Sequence, residues 1–407
     1  MANTLLNSTI ILNKSLEILH NNLTFTKCVN RQYDDQFKST GTAGKPGTTL
    51  YVRKPVQHTV SSSVTLNLQD LVEQDIAIAC ATRCQDSFVF STQDLTMNID
   101  DFANRYLKTG MARIAAAIDA AGLALYKDVY NYVGTPGTTP ASQQVYLDGG
   151  AVLDYNCCPR DGERYAVIDP SAQAKTVGGL ASLFNNSSKI SSQYDKGSMG
   201  DALGYGFRMD QLINTHTCGS RTGTILVDDL AGTYLTEGST SLHIDGLGAT
   251  TQTFKDGDIF TVAAVYDVNP ETKDTLSTLK RFVVTADATA ASSEVTLAIS
   301  PAMYTSASGA LQNISAMPAN DAAVTVVGTA STGYPQNMLF HRDAFTLVTA
   351  DLEMPKGVDF AARDVADGIS MRIVRDYSIV NDTLPCRIDV LYGWTSLRPE
   401  WACRLWG

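Results

Sequence analysis

Between Phe102 and Tyr132 apolar side chains recur at steps of three and four, through Tyr106, Ile114, Ile118, Ala121, Leu125 and Val129, with one double step across Gly110. That period marks one face of an α-helix. Asn98 stands where an N-cap is needed, Asp100 and Asp101 put negative charge in the first turn, and Gly134-Thr135-Pro136-Gly137 supplies a stop. The pattern predicts a helix over residues 100–133. At 1.5 Å per residue it would be about 50 Å long, longer than a compact domain of ordinary size is wide, so it has to lie along something extended. A coiled coil is the obvious rival, but the stripe drifts and is alanine-rich where a heptad seam holds leucine.

Other segments are also poorly covered by their own neighbours. Leu12, Leu16, Leu19 and Leu23 share one stripe of a short helix capped by Ser8 or Thr9. It is either a lid over its own core or an arm on a neighbouring molecule. Residues 39–47 are rich in turn formers, Leu50 and Val52 follow in alternation, and Val60, Val64, Leu66 and Leu68 come after Pro55. This predicts a long two-stranded loop, marginal in isolation. A short strand is expected at Arg164 to Ile168, then a helix from Pro170 to about Phe184.

From Thr224 to Val327 the character changes. Alternating runs at 259–266, 281–285 and 295–299 are divided by Lys255-Asp-Gly-Asp258, Val268-Asn-Pro-Glu271 and Ala291-Ser-Ser293. Short strands separated by turn residues indicate a small all-β barrel or sandwich. Beyond it, Ile369, Met371 and Ile373 share a face of one strand. In a second, Cys386, Ile388, Val390, Tyr392 and Trp394 face one way and Arg387 and Asp389 the other. Mixed α/β sequence thus brackets an all-β segment of about 110 residues, which reads as an inserted domain.

With 407 residues the chain exceeds what one core usually serves, and 44% apolar against 18% charged residues excludes a disordered chain. The formal charge of -11 argues against a dedicated nucleic-acid binder, which needs clustered cations. The most apolar helix-like run, Met111 to Leu125, is interrupted by Arg113 and Asp119, so no membrane span is expected. No basic residue precedes Lys14, so no secretory signal is expected, and the eight scattered cysteines are read as reduced thiols.

Motifs for chemistry are sparse. The five histidines lack a partner at ligand spacing, and Cys80 and Cys84 would make half a metal site only on a helix. His216 and Cys218 suggest a nucleophile pair, but sequence neighbours seldom meet as one, and a loop role is favoured. Gly204-Tyr-Gly-Phe207 lacks the third glycine of a nucleotide fingerprint, and Asp256-Gly257-Asp258 is a hairpin turn with too few carboxylates for a calcium loop. Arg53 and Lys54 beside Pro55 form an anion site or, as the favoured reading, a solvated or subunit-facing loop edge. No enzyme, cofactor or metal is expected.

Three runs carry a resemblance: Leu50-Tyr-Val-Arg-Lys-Pro55; Lys255-Asp-Gly-Asp-Ile-Phe-Thr-Val-Ala-Ala-Val265 with Arg281-Phe-Val-Val284; and Cys386-Arg-Ile with Leu391-Tyr-Gly-Trp394 and Arg398-Pro-Glu400. In this order along one chain they resemble the major capsid proteins of tailed bacteriophages. The β insertion narrows the likeness to the coat proteins of the short-tailed Salmonella phage type.

The resemblance implies an α+β major capsid fold: an N-terminal arm (1–32), an extended loop (33–70), a peripheral domain with a spine helix (100–133) and the first part of an axial domain (71–222), an inserted β-barrel (223–332), and the rest of the core with the C-terminal strands (333–407). It implies a self-assembling icosahedral head shell of hexamers and pentamers, built in the host cytoplasm around a scaffolding protein, with a portal protein and optionally a decoration protein as partners. The shell would enclose double-stranded DNA without reading its sequence, and no membrane takes part. Scaffold contact would fall on Leu16 to Asn21, where Glu17 is the one acidic residue. The candidate subunit-interface residues are Leu12, Leu16, Glu17, Leu19, Lys45, Arg53, Lys54 and Arg398; Lys45 alone does not imply the covalent cross-link of some relatives. Two other classes stay open: a cellular nanocompartment shell, and a soluble enzyme or carbohydrate-binding protein.

Overall fold

The computed structural model describes residues 17–19, 23–33, 49–58, 60, 64, 68, 73–91, 108–179, 197, 199–230, 232–248, 251–290, 293–366 and 369–407. The chain forms two units. One comprises 1–52, 75–123 and 345–395, the other 53–74, 124–344 and 396–407.

In the first unit a five-stranded sheet is built around Thr383–Ser396. This strand pairs antiparallel with Ile369–Arg375 and, from Thr383 to Tyr392, with Thr82–Ser91; Ile369–Arg375 pairs in turn with Phe360–Ala366. The alternation expected of the C-terminal strands is observed. Ile369, Met371, Ile373, Cys386, Ile388, Val390 and Tyr392 are all buried. Phe25 packs between Phe345 and Trp394, at centroid distances of 5.9 and 5.5 Å, and Met111, Ile114 and Ile118 of the helix Lys108–Leu123 are buried as well.

That helix corrects the sequence expectation. Residues 100–107 lie outside the described residues, but the other end is settled: the α-helix stops at Leu123, a 3-10 turn covers Ala124–Asp128, and Tyr132–Val133 is a strand. Its sixteen described residues span about 24 Å. The early stop follows from pairing within the second unit. Arg404 and Trp406 donate their backbone N–H groups to the carbonyls of Asn131 and Val133, so these residues are taken into a parallel ladder and lost to a helix.

The loop expectation changes too. Thr49–Arg53 pairs with Asp75–Ala79, and Val60, Val64 and Leu68 belong to no strand. A helix at Gln143–Tyr155 had no forecast, while Pro170–Gly179 matches one whose continuation to Phe184 lies outside the described residues.

The second unit holds two six-stranded sheets. The mixed sheet runs in the order Tyr132–Val133, Ala402–Leu405, Asn337–His341, Arg164–Ile168, Tyr205–Met209, Asp201–Ala202. Its core joins Ala166, Ile168, Phe207, Leu339 and Leu405 to Tyr146 and Leu153 of the helix Gln143–Tyr155 and to Ala172 of Pro170–Gly179. The other sheet is antiparallel, in the order Val324–Val326, Ile259–Val268, Thr275–Val284, Val295–Met303, Ser239–Leu247, Gly223–Val227. Its outer members meet: Leu226 bridges Ala323, and Val227 donates to the Ala322 carbonyl at 2.9 Å. Closure removes the open edges of the sheet, and Val227, Leu242, Ile244, Phe260, Val262, Phe282, Val284 and Leu297 fill the interior.

Candidate functional site

Where the strand Thr215–Thr217 pairs with Gly333–Pro335, the alternation Thr215, His216, Thr217, Cys218 turns His216 and Cys218 inward and leaves the threonines exposed. The Lys255-Asp-Gly-Asp258 turn brings a third polar group. Gly257 has φ +100, and a Cβ there would stand 3.3 Å from both the His216 ring and Lys127 Cγ, so the turn takes glycine for its conformation and for space. Asp258 Oδ1 lies 2.9 Å from His216 Nε2, while Oδ2 accepts the backbone N–H groups of Lys255 at 2.9 Å and Gly219 at 3.1 Å. The other ring nitrogen, His216 Nδ1, is 3.2 Å from the Tyr126 hydroxyl.

Arg404 lies beside this group, 1% exposed. It donates to the carbonyls of Gly257 at 2.7 Å and Lys127 at 3.4 Å, and its guanidinium carbon is 5.1 Å from the Tyr126 ring centre. Burial pushes the Asp258 carboxyl up, but His216 and the two backbone donors more than reverse this and leave it below the usual carboxylate range. Burial, helped by the Asp258 charge, raises the Cys218 thiol to about 11, and burial lowers Arg404 to about 10. A thiol at 11 is protonated at neutral pH, so the His216–Cys218 pair is not an activated nucleophile, in line with the favoured sequence reading.

A second polar centre lies in the first unit. Asp389 is fully buried and receives Arg83 Nη2 at 2.6 Å, Arg372 Nη2 at 2.7 Å and Arg387 Nε at 2.5 Å. Burial raises its carboxyl, and the three guanidinium groups then pull it below the ordinary range. Asp119, which the sequence presented as a break in an apolar helix face, is 2% exposed and accepts the backbone N–H groups of Thr24 at 2.6 Å and Thr26 at 3.0 Å, tying the turn Phe25–Cys28 to the helix.

The sequence-derived interface residues are dispersed. Leu12, Leu16 and Lys45 lie outside the described residues. Glu17 is exposed, and Leu19 is fully buried within its own chain. Arg53 faces Glu73 at 3.3 Å with both side chains largely solvated, and the Lys54 backbone N–H bonds the Gln74 carbonyl at 2.7 Å. Arg398 lies over the Trp401 ring, 4.1 Å from its centre. Cys80 and Cys84 flank the start of a strand, so the helical face needed for a half-site is absent, and all eight cysteines are free. Gly204 and Gly206 sit at the entry of the strand Tyr205–Met209, with no helix N-terminus following. Among the described residues no helix is long and apolar enough to cross a membrane.

The sequence matches the family described as P22 coat protein, gene protein 5, over residues 1–407. No curated protein matches it. Among solved structures it is similar to one of Mycobacterium phage Che8, with 11% identity, 94% of this chain and 90% of that chain covered, and a TM-score of 0.49. A capsid structure of the cyanophage P-SCSP1u shows 12% identity, coverage of 93% and 88%, and a TM-score of 0.45. The mature capsid of bacteriophage PhiM1 shows 10% identity, coverage of 92% and 86%, and a TM-score of 0.40.

Proposed function

The chain belongs to the P22 coat protein family and is a major capsid subunit of a phage virion, and from that premise we propose how it builds its shell. Hexamers and pentamers of this chain close around a scaffolding protein in the cytoplasm of a host bacterium. One vertex takes a portal protein, a decoration protein is an optional outer partner, and the finished shell holds double-stranded DNA without reading its sequence. The reading assigns the subunit no catalysis and no membrane contact.

The observation that carries the reading is the family match along the whole chain. Surface chemistry supports it. Val60, Val64 and Leu68, in the segment expected to be the extended loop, are 97%, 107% and 84% exposed, so their apolar surface is left for a neighbouring copy to cover. Residues 33–70 then overlap an adjacent subunit, and 223–332 form an inserted barrel that braces the fold. Leu12, Leu16 and Glu17 serve the arm contact while Leu19, buried in its own chain, anchors the arm, and Lys45, Arg53, Lys54 and Arg398 stand at subunit edges. Shallow contacts repeated around a closed symmetric cage give a stable particle from modest pairwise energies. The net charge of -11 suits a container that has to release a polyanion.

Expressing the chain with a scaffolding protein from the same genome and viewing the product by electron microscopy tests the reading. Closed icosahedral particles are expected, with arm truncation before Leu23 abolishing scaffold-dependent assembly. A chain that stays monomeric or dimeric under every assembly condition overturns it.

A further inference from the structure

The cluster of His216, Cys218 and Asp258 has a feature that a purely structural hydrogen-bond network does not need: its nitrogen, sulfur and oxygen atoms all lie within 4.8 Å of one another, and all three residues are buried. They border a cavity of about 10 Å³ that is also lined by Gln336 and Arg404. That volume is at the lower limit for one water molecule or one ion. Gln336 is 2% exposed, and its Oε1 has no hydrogen-bond partner although the side-chain amide nitrogen is satisfied by the Tyr334 carbonyl at 2.9 Å. A buried acceptor without a donor is costly, and a cation is one species that would satisfy it.

We propose that His216 Nε2, Cys218 Sγ and Asp258 Oδ1 bind a single borderline-soft divalent cation of the zinc class, with Gln336 Oε1 as the fourth donor. Nitrogen, thiolate and carboxylate oxygen are the donors such an ion takes in four-coordinate sites. The supports behind the donors are already in place. Tyr126 holds His216 Nδ1, which fixes the ring with Nε2 turned to the cavity, and the N–H groups of Lys255 and Gly219 hold Asp258 Oδ2, which leaves Oδ1 to the ion. On binding, the Cys218 S–H proton passes to solvent, and the His216 ring proton moves from Nε2 to Nδ1, where the Tyr126 hydroxyl oxygen accepts it. The weak contact from Sγ to the Val327 carbonyl at 3.7 Å is given up, and the ion takes the place of the hydrogen bond between His216 and Asp258. Arg404 contributes a fixed positive charge beside the site, and this constrains its chemistry. Neutral donors alone would leave a dication repelled, whereas the Asp258 carboxylate and the Cys218 thiolate supply two negative charges against it.

The ligands come from the paired strand Thr215–Thr217 and its extension, from the turn before Ile259–Val268 and from the residue after Gly333–Pro335. A bound ion would therefore clamp the entry to the closed β-sheet segment to its exit. This inference goes beyond the shell reading and stands or falls separately from it.

Full-length protein freed of metal by chelator dialysis is titrated with Co²⁺ and followed by absorption. The expected result is a thiolate-to-cobalt charge-transfer band in the near ultraviolet with intense visible bands of a tetrahedral ion, saturating at one Co²⁺ per chain. The charge-transfer band is lost in Cys218→Ser and the visible bands weaken in Gln336→Leu. Zn²⁺ displaces the colour and raises the unfolding temperature, and a chelator reverses the rise. Absence of the band in the wild type, or its persistence at full strength in Cys218→Ser, overturns the proposal. Elemental analysis of wild-type protein from zinc-supplemented cells does not depend on the variants: one zinc per chain is expected, and substoichiometric traces, meaning an adventitious ion only, count against it.

Discussion

On one face of the sheet in the first unit four charges meet. Arg372 is directly opposite Asp389 on the neighbouring strand, Arg387 is two residues before it, and Arg83 sits diagonally across the ladder to Thr82–Ser91. Alternation in the sequence puts Arg387 and Asp389 on a common face, but it cannot say whether that face is covered; here Asp389 is at 0% exposure. A buried carboxylate shared by three guanidiniums is held by geometry, and removing its charge leaves the cations facing one another. Asp389→Asn should destabilise the subunit by about 3 kcal/mol, the low end for breaking a buried ionic group, because Arg83 and Arg387 keep water at 39% and 43% exposure. The sign of the pH effect follows from the lowered carboxyl. An unfolded aspartate titrates near about 3.9, and the folded one lower, so the stabilisation is complete above that pH and is lost as pH falls through the folded value. Urea midpoints of the unassembled subunit should therefore drop as pH falls below about 4 in the wild type and less steeply in the variant. Parallel acid limbs would show that Asp389 carries no such linkage.

At the scale of elements, the helix Lys108–Leu123 depends on Gly122 for its approach to the aromatic core. A Cβ on Gly122 would come within 2.6 Å of Trp394 Cζ2 and 2.8 Å of the Phe25 ring. Trp394 is further pinned by its indole N–H to the Ile118 carbonyl at 3.1 Å. Gly122→Ala should cost about 1–3 kcal/mol by overpacking, despite the better helix propensity of alanine. Gly178→Ala, at an exposed position of the helix Pro170–Gly179 where the new methyl meets nothing among the described residues, should gain up to about 1 kcal/mol. Denaturant midpoints of both variants check the contrast; a Gly122→Ala midpoint at or above that of the wild type would place the close contact elsewhere. The two positions also show what local pattern can and cannot tell. Strands of the closed β-sheet were legible because alternation and turns such as Lys255-Asp-Gly-Asp258 are written within ten residues of one another. The end of the long helix was not, because Leu125, Val129 and Tyr132 continue the helical period while the deciding partners, Arg404 and Trp406, come some 270 residues later. Tyr130 and Tyr132 keep an apolar role there, with Lys280 and Arg281 over their rings at 5.5 and 4.8 Å. The meeting of His216 with Asp258, 42 positions apart, follows no spacing rule at all.

For the whole molecule, the closed β-sheet segment enters and leaves the chain at one place. Thr217 pairs with Gly333, and the Cys218 N–H bonds the Thr332 carbonyl at 3.1 Å, so residues 219–331 begin and end side by side. A segment with adjacent termini, a closed ring of strands and its own apolar interior has what independent folding requires. Produced alone, 219–331 should unfold cooperatively in urea and keep its strand content by circular dichroism. The remainder is not equally self-sufficient. Ile259 and Val283 of the segment pack with Tyr130 and Trp406, and Arg404 loses the Gly257 carbonyl once the segment is removed. Replacing 219–331 by a short glycine turn should therefore expose Trp406, leave the buried Arg404 charge short of acceptors, and lower the yield of soluble, assembly-competent subunit. Adding the isolated segment in trans would not restore it, because its covalent link to the paired ends Thr217 and Gly333 is gone. Normal yield and normal particles from the shortened chain would mean that the segment is an ornament on a fold able to support itself, and the bracing role assigned to residues 223–332 would have to be withdrawn.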